Sequence, residues 1–125
     1  MTISYAWRAP FDDAELSAVA TAFPGWWARV NRHSLGWVCA RDAAGALVGF
    51  VNVAWDGGGH AFILDTWVAE RARRSGVGTR LVATAAAEAR AAGCEWLHVD
   101  FEPHLTAYYL DACGFTPAEA GVIAL

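Results

Sequence analysis

One stretch constrains this chain more than any other: Val68-Ala69-Glu70-Arg71-Ala72-Arg73-Arg74-Ser75-Gly76-Val77-Gly78-Thr79-Arg80-Leu81. An apolar, β-prone run from Ala61 to Val68 leads into a turn rich in arginine and glycine, which opens into an alanine-rich helix predicted over Val77–Ala92. A strand, a glycine turn and a helix N-terminus in that order form an anion-binding device. The first turn of a helix carries unpaired N–H groups and the positive end of the macrodipole. Glycines at 76 and 78 keep side chains away from those amides. Arg71, Arg73 and Arg74 add charge-assisted donors. The first expectation is therefore a phosphate or pyrophosphate ligand.

The details exclude two common phosphate motifs. No Gly-Lys-Ser/Thr follows, and the chain has no lysine, so this is not a P-loop. Gly76-Val77-Gly78 continues as Thr79-Arg80-Leu81, where a dinucleotide fingerprint needs a third glycine. An ordinary strand-to-helix turn with surface arginines, or a small α/β nucleotide-binding protein using the same helix end, are the alternatives.

The remaining periodicities give an element order. Thr2–Arg8 reads as a strand closed by Ala9-Pro10, and Asp12 or Asp13 caps a helix expected to reach Phe23, where Pro24-Gly25 breaks it. Trp26–His33 reads as a short helix. Leu35–Arg41 and Leu47–Trp55 read as strands joined through Asp42–Gly45, and Asp56–Gly59 turns into a strand over His60–Val68. The central helix carries an apolar stripe of Val77, Leu81, Val82, Ala85 and Ala89, and Gly93 ends it. Then come a strand over Cys94–Phe101, a helix over His104–Cys113 and a last short strand over Gly121–Leu125. This order predicts an α/β fold: one mixed sheet with helices on both faces.

The set Val68, Arg73, Gly76, Gly78 and Leu81 resembles the Arg/Gln-x-x-Gly-x-Gly/Ala signature of the GNAT N-acetyltransferase superfamily, with Val68 five residues ahead of Arg73. The element order is also the one that family shows, most clearly from Leu47 to Phe115. The resemblance implies a mostly antiparallel sheet with a splayed parallel strand pair. It implies acetyl-coenzyme A as co-substrate, with transfer of the acetyl group to a primary amine of a small molecule or peptide. The amides of Arg73, Arg74, Ser75, Gly76, Val77, Gly78 and Thr79 would hold the pyrophosphate. The backbone of Trp67 and Val68 would pair with the pantetheine arm, the Val68 N–H facing the thioester oxygen.

Direct transfer also needs a base and an acid. Alternation over Glu95–Glu102 puts Trp96, His98, Asp100 and Glu102 on one strand face, and Leu97, Val99 and Phe101 on the other. Three ionisable groups on one face mean a solvated face or a functional one. The candidate bases, in order, are Glu102, Asp65, Asp100 and His98. His98, Asp100, Glu102 and His104 lack a partner pair at metal spacing, so no metal is expected. The family's acid is a tyrosine four residues before a Gly-Phe pair. Here Leu110 holds that place, with Tyr109 one residue out of register and Pro103 where an asparagine belongs. A one-residue slip turns a side chain by about 100° unless the helix contains a bulge. Tyr109 is the expected acid and Tyr108 its substitute. Loss of that acid would leave a non-catalytic acyl-coenzyme A-binding module, and two packing tyrosines are the plain alternative.

Phe23, Trp26, Trp27 and Trp55 offer an aromatic wall for an acceptor, or simply core filling and a homodimer contact. Composition bounds the rest. At 125 residues the chain is one domain, residues 1–125, and a hydrophobic content of 56% is that of a globular chain. A net charge of −4 argues against a nucleic-acid partner. No apolar run reaches membrane-spanning length and no secretion signal is evident, so no membrane partner is expected. The three cysteines, Cys39, Cys94 and Cys113, are odd in number and unclustered, which suits reduced thiols in the cytoplasm.

Overall fold

The computed structural model describes residues 2–125. Strands β1 (Ser4–Trp7), β2 (Ser34–Arg41), β3 (Leu47–Trp55), β4 (His60–Val68) and β5 (Trp96–His98) form one sheet in chain order. The first four pair antiparallel, and β4 meets β5 in parallel. Aspartates build the two hairpin turns. The Asp42 carboxylate accepts from the N–H groups of Ala44 and Ala46, each at 3.0 Å, and Asp56 accepts from Gly58 at 2.7 Å and His60 at 3.2 Å.

Helix α3 (Val77–Ala91) lies on one face of the sheet. Its stripe of Val77, Leu81, Val82, Ala85 and Ala89 is buried, against a sheet face that includes Val38, Ala40, Val51, Val53 and Ile63. The other face is covered by α1 (Asp13–Ser17) and α2 (Trp26–Val30), through Leu16, Trp26 and Trp27 packed on Cys39, Leu47 and Phe50. A capping box closes the start of α1: Asp12 accepts from the Glu15 N–H at 2.8 Å, and Glu15 accepts from the Asp12 N–H at 3.2 Å. Glu15 also anchors α1 to β2 through Arg41, at 2.5 Å. The fold is thus a mixed, mostly antiparallel sheet with helices on both faces.

Four elements differ from the sequence expectation. The helix expected to reach Phe23 ends at Ser17, where the Ala18 and Val19 N–H groups bond carbonyls only three residues back. Leu16 is its one buried residue, so little packing supports a longer helix. The strand expected over Cys94–Phe101 pairs only at Trp96–His98, because β4 and β5 diverge beyond that point. The helix expected over His104–Cys113 is a 3₁₀ turn (Pro103–Leu105) followed by a π-helix (Ala107–Ala112). Gly121–Leu125 is not a strand. It has no ladder partner among the described residues, and Val122 and Ile123 are more than four-fifths exposed.

Candidate active site

The site begins with a register slip in β4. Phe50 pairs with Trp67 and Asn52 with Leu64, so Asp65 and Thr66 together oppose Val51. That is a β-bulge, and Asp65 sits in it at φ +56°. The pairing of β4 with β5 covers only His60–Phe62, where His60 Nδ1 and His98 Nε2 lie 2.7 Å apart across the strands. From Ile63 onward the edge of β4 faces a gap. The Ala69 N–H bonds the Val48 carbonyl at 2.8 Å, which makes Gly49 and Val68 a non-hydrogen-bonded pair. The Val68 N–H and C=O therefore point away from β3, toward that gap.

The glycine turn stands beside the end of β4, with Val68 Cγ2 3.6 Å from where a β-carbon on Gly78 would be. Gly76, at φ +81°, is the N-cap of α3, and no side chain caps this end. The first helical bond runs from the Arg80 N–H to the Gly76 carbonyl at 3.1 Å, so the N–H groups of Val77, Gly78 and Thr79 lie ahead of the ladder and free of it. A β-carbon on Gly76 would meet nothing within 4 Å, so the space above the turn is open. Arg73 Nε donates to the Val68 carbonyl at 3.2 Å, tying the turn to the strand end, and Ser75 Oγ donates to the Ala72 carbonyl at 2.5 Å. Arg74 is exposed, at φ +64°. Arg71, expected among the anion donors, instead pairs with Asp42 at 2.8 Å and leaves the turn.

The π-helix brings the two tyrosines to this region. Tyr109, 7% exposed, stacks on Phe101 with ring centroids 4.9 Å apart, and its phenol is beside the Thr66 hydroxyl in the β4 bulge. That places it between β4 and the segment leaving β5. Burial pushes its titration up, the Thr66 hydroxyl pulls it back, and Asp100 pushes it up further. Tyr108 points under the start of α3. Its hydroxyl is buried without a hydrogen-bond partner among the described residues, and a β-carbon on Gly78 would meet it at 2.6 Å.

Of the expected bases, Asp65 is half-buried. Burial raises its carboxyl above the ordinary carboxylate range, and the Asn52 amide beside it offsets part of that rise. Asn52 is itself 1% exposed and accepts from Ser34 Oγ at 2.6 Å. Glu102, Asp100 and His98 are exposed, and the alternation expected of that strand holds: Leu97, Val99 and Phe101 face inward. Trp26 and Trp27 do not wall an open pocket. They pack with Phe11, Trp37, Phe50 and Trp67 as an aromatic layer, with Trp26 and Trp67 centroids 5.3 Å apart. Phe23 and Trp55 stay exposed outside it.

Sequence reading passed over Asn52, the one polar side chain fully buried among the described residues. Its signal was a lone asparagine inside the apolar run Leu47–Trp55. It also passed over Thr66, whose hydroxyl is buried and lacks a hydrogen-bond partner among the described residues.

A mostly antiparallel five-stranded sheet with one short parallel pair, β4 and β5, and an uncapped helix N-terminus following β4 is the architecture of an acetyltransferase-type fold. The model of the GNAT acetyltransferase family matches residues 2–115, and this chain belongs to that family. Solved structures agree on the fold. A GNAT-family acetyltransferase from Streptococcus pneumoniae superposes with TM-score 0.80 at 19% identity, over 99% of this chain and 98% of that one. Glucosamine-6-phosphate N-acetyltransferase from Arabidopsis thaliana gives 0.76 at 13%, over 100% and 99%. AAC(6')-Iy, solved with a coenzyme A bisubstrate analogue, gives 0.75 at 16%, over 100% and 98%. At such identities the likeness concerns the fold alone. No curated protein sequence matches the chain significantly. No helix among the described residues is long and apolar enough to cross a membrane.

Proposed function

We propose that this chain is an acetyl-coenzyme A-dependent N-acetyltransferase that acetylates a primary amine of a small molecule or peptide, with residues 1–125 as one catalytic domain. One observation carries the reading: the uncapped start of α3 stands beside Val68 at the end of β4, past the last β4–β5 pair, and the Tyr109 phenol lies by Thr66 on that same unpaired stretch. The residues fit the cofactor. Gly76 leaves room for a pyrophosphate on the amides of Val77, Gly78 and Thr79, with Arg74, Ser75 and the remaining donors of Arg73 around it, whereas the β-carbon position of Gly78 faces the Tyr108 hydroxyl. Beyond the turn, the free Val68 N–H at the edge of β4, next to Trp67, suits an amide-bearing pantetheine arm.

When bound, the coenzyme supplies a thioester whose carbonyl carbon accepts the amine and whose thiolate departs. Asp65 takes the proton that the nitrogen loses, and its raised carboxyl is the better base for it. The Val68 N–H donates to the oxygen on which charge develops, a kind of contact worth on the order of 3 kcal/mol. Tyr109 gives its phenolic proton to the sulfur as the carbon–sulfur bond breaks and the carbon–nitrogen bond forms. The protonated Asp65 and the Tyr109 phenolate then exchange a proton through solvent, which restores both. Glu102 and Asp100, both exposed, have less claim as bases.

The π-helix supports Tyr109 as the acid. Such a turn accommodates one extra residue, and Tyr109 stands one residue out of the family's register. Free thiols at Cys39, Cys94 and Cys113 suit a cytoplasmic enzyme. The test is calorimetric binding of acetyl-coenzyme A, with ATP and NAD as controls, followed by turnover on a panel of amines. Tight binding without turnover on any amine points to a binding module, and binding to none of the three ligands ends the enzyme reading.

A further inference from the structure

A cleft of about 240 Å³ opens on the sheet face opposite α3, and the mechanism above makes no use of it. Its floor is Asn52, Ala54 and Leu64, and its wall is the segment carrying Arg29, Arg32 and His33. No carboxylate lines it. Arg29 and Arg32 are exposed, and neither takes part in a salt bridge among the described residues. In a chain of net charge −4, two unpaired arginines and a histidine around one small cleft reverse the local sign.

The cleft and the proposed base share a residue. Asn52 lines the cleft and sits beside Asp65, while Leu64, also in the floor, precedes Asp65 in β4. An acceptor held in the cleft has its nitrogen end next to the bulge and its other end among the arginines. We propose that Arg29 and Arg32 bind an anionic group of the acceptor, so that the substrate is a small primary amine that also carries a phosphate or carboxylate. This rests on the acetyltransferase reading and narrows it. Pockets for drug-sized ligands run to roughly 300–1,000 Å³, so a cleft this small suits a compact metabolite and not a peptide segment.

The test uses probes that differ in the anion alone. Binding of 2-aminoethyl phosphate, β-alanine and ethanolamine is measured by calorimetry in the presence of coenzyme A, on the wild type and on R29A/R32A. At least one of the two anionic amines should bind tenfold or more tightly than ethanolamine, and their order distinguishes phosphate from carboxylate. The double variant should lose that preference while retaining the wild-type circular dichroism spectrum and affinity for coenzyme A. Equal binding of all three amines, or an undiminished preference in R29A/R32A, overturns the proposal. Acetylation of the same amines separates the two readings. Transfer with no preference for the anion defeats this inference alone, whereas selective binding of an anionic amine with no transfer to any amine defeats the enzyme reading alone.

Discussion

The hydroxyl of Tyr108 lies directly under Gly78, at 2.6 Å from where a β-carbon on that glycine would stand. The next nearest atoms to that position are Tyr108 Cζ at 3.5 Å and Val68 Cγ2 at 3.6 Å, both ordinary contacts. Alanine is otherwise the better helix residue by about 1 kcal/mol. Gly78→Ala should therefore destabilise the wild type by about 1–3 kcal/mol through overpacking. In a Tyr108→Phe background, where the clashing oxygen is gone, it should be neutral or stabilising. Urea denaturation of the four proteins in this cycle measures the coupling. Additive effects would show that the hydroxyl is not the obstacle.

The two tyrosines should separate in kinetics. Tyr109→Phe removes the proposed acid and should lower kcat by roughly a hundredfold or more, with acetyl-coenzyme A affinity retained. Tyr108→Phe removes a buried hydroxyl that has no hydrogen-bond partner among the described residues. It should leave stability unchanged or improved, because no hydrogen bond is lost, and should leave kcat near wild type. Steady-state kinetics with one good amine decides the matter. The reverse pattern would move the acid to Tyr108.

Asp65 should set the acid limb of the pH profile. As the proposed base it works when deprotonated, and burial raises its carboxyl above the ordinary 3.8. Activity should rise with pH through a midpoint above that value, and the raised phenol of Tyr109 should keep the acid protonated past its ordinary 10.0. Asp65→Asn suits the left-handed backbone at φ +56°, so it should fold, lose most activity and lose that limb. Stability runs the other way. In the window between the unfolded and folded values the native state binds the extra proton, so wild-type stability falls as pH rises through it. Asp65→Asn should remove that fall, as thermal melts across pH 3–8 would show. An unchanged acid limb in the variant would reassign the base.

The turn offers the simplest test of the cofactor site. Gly76→Asp places a negative side chain, in a strained left-handed conformation, above the free amides of α3. It should abolish acetyl-coenzyme A binding. Arg73→Ala should weaken binding by about 1.5–3 kcal/mol if its guanidinium makes a charge-assisted contact. Calorimetry measures both, with circular dichroism as a check on folding. Tight binding by folded Gly76→Asp would falsify the assignment of the turn.

The parts of this protein set by short-range rules were legible in the residues alone. The α3 stripe follows from helical spacing, and all five of its apolar positions are buried. The inward face of Leu97, Val99 and Phe101 follows from the two-residue period of extended chain. Gly76 caps α3 because only glycine adopts φ +81° at little cost. Other features depend on partners distant in sequence. The bulge at Asp65 exists because β3 and β4 pair in a register with one extra residue, which no local pattern records. β5 ends at His98 because its pairing with β4 stops at Phe62, so an alternation reaching Glu102 overstates the ladder. Tyr109 reaches the gap only through a π-helix, whose widened turn is settled by how its ring packs on Phe101 and Phe115. Trp26 and Trp27 became an aromatic layer because Phe11, Trp37, Phe50 and Trp67 converge on them from four separate segments. Spacing along the chain determines which face a side chain takes and where an element starts. Register between strands and fit between rings determine which faces meet, and those are properties of the packed molecule.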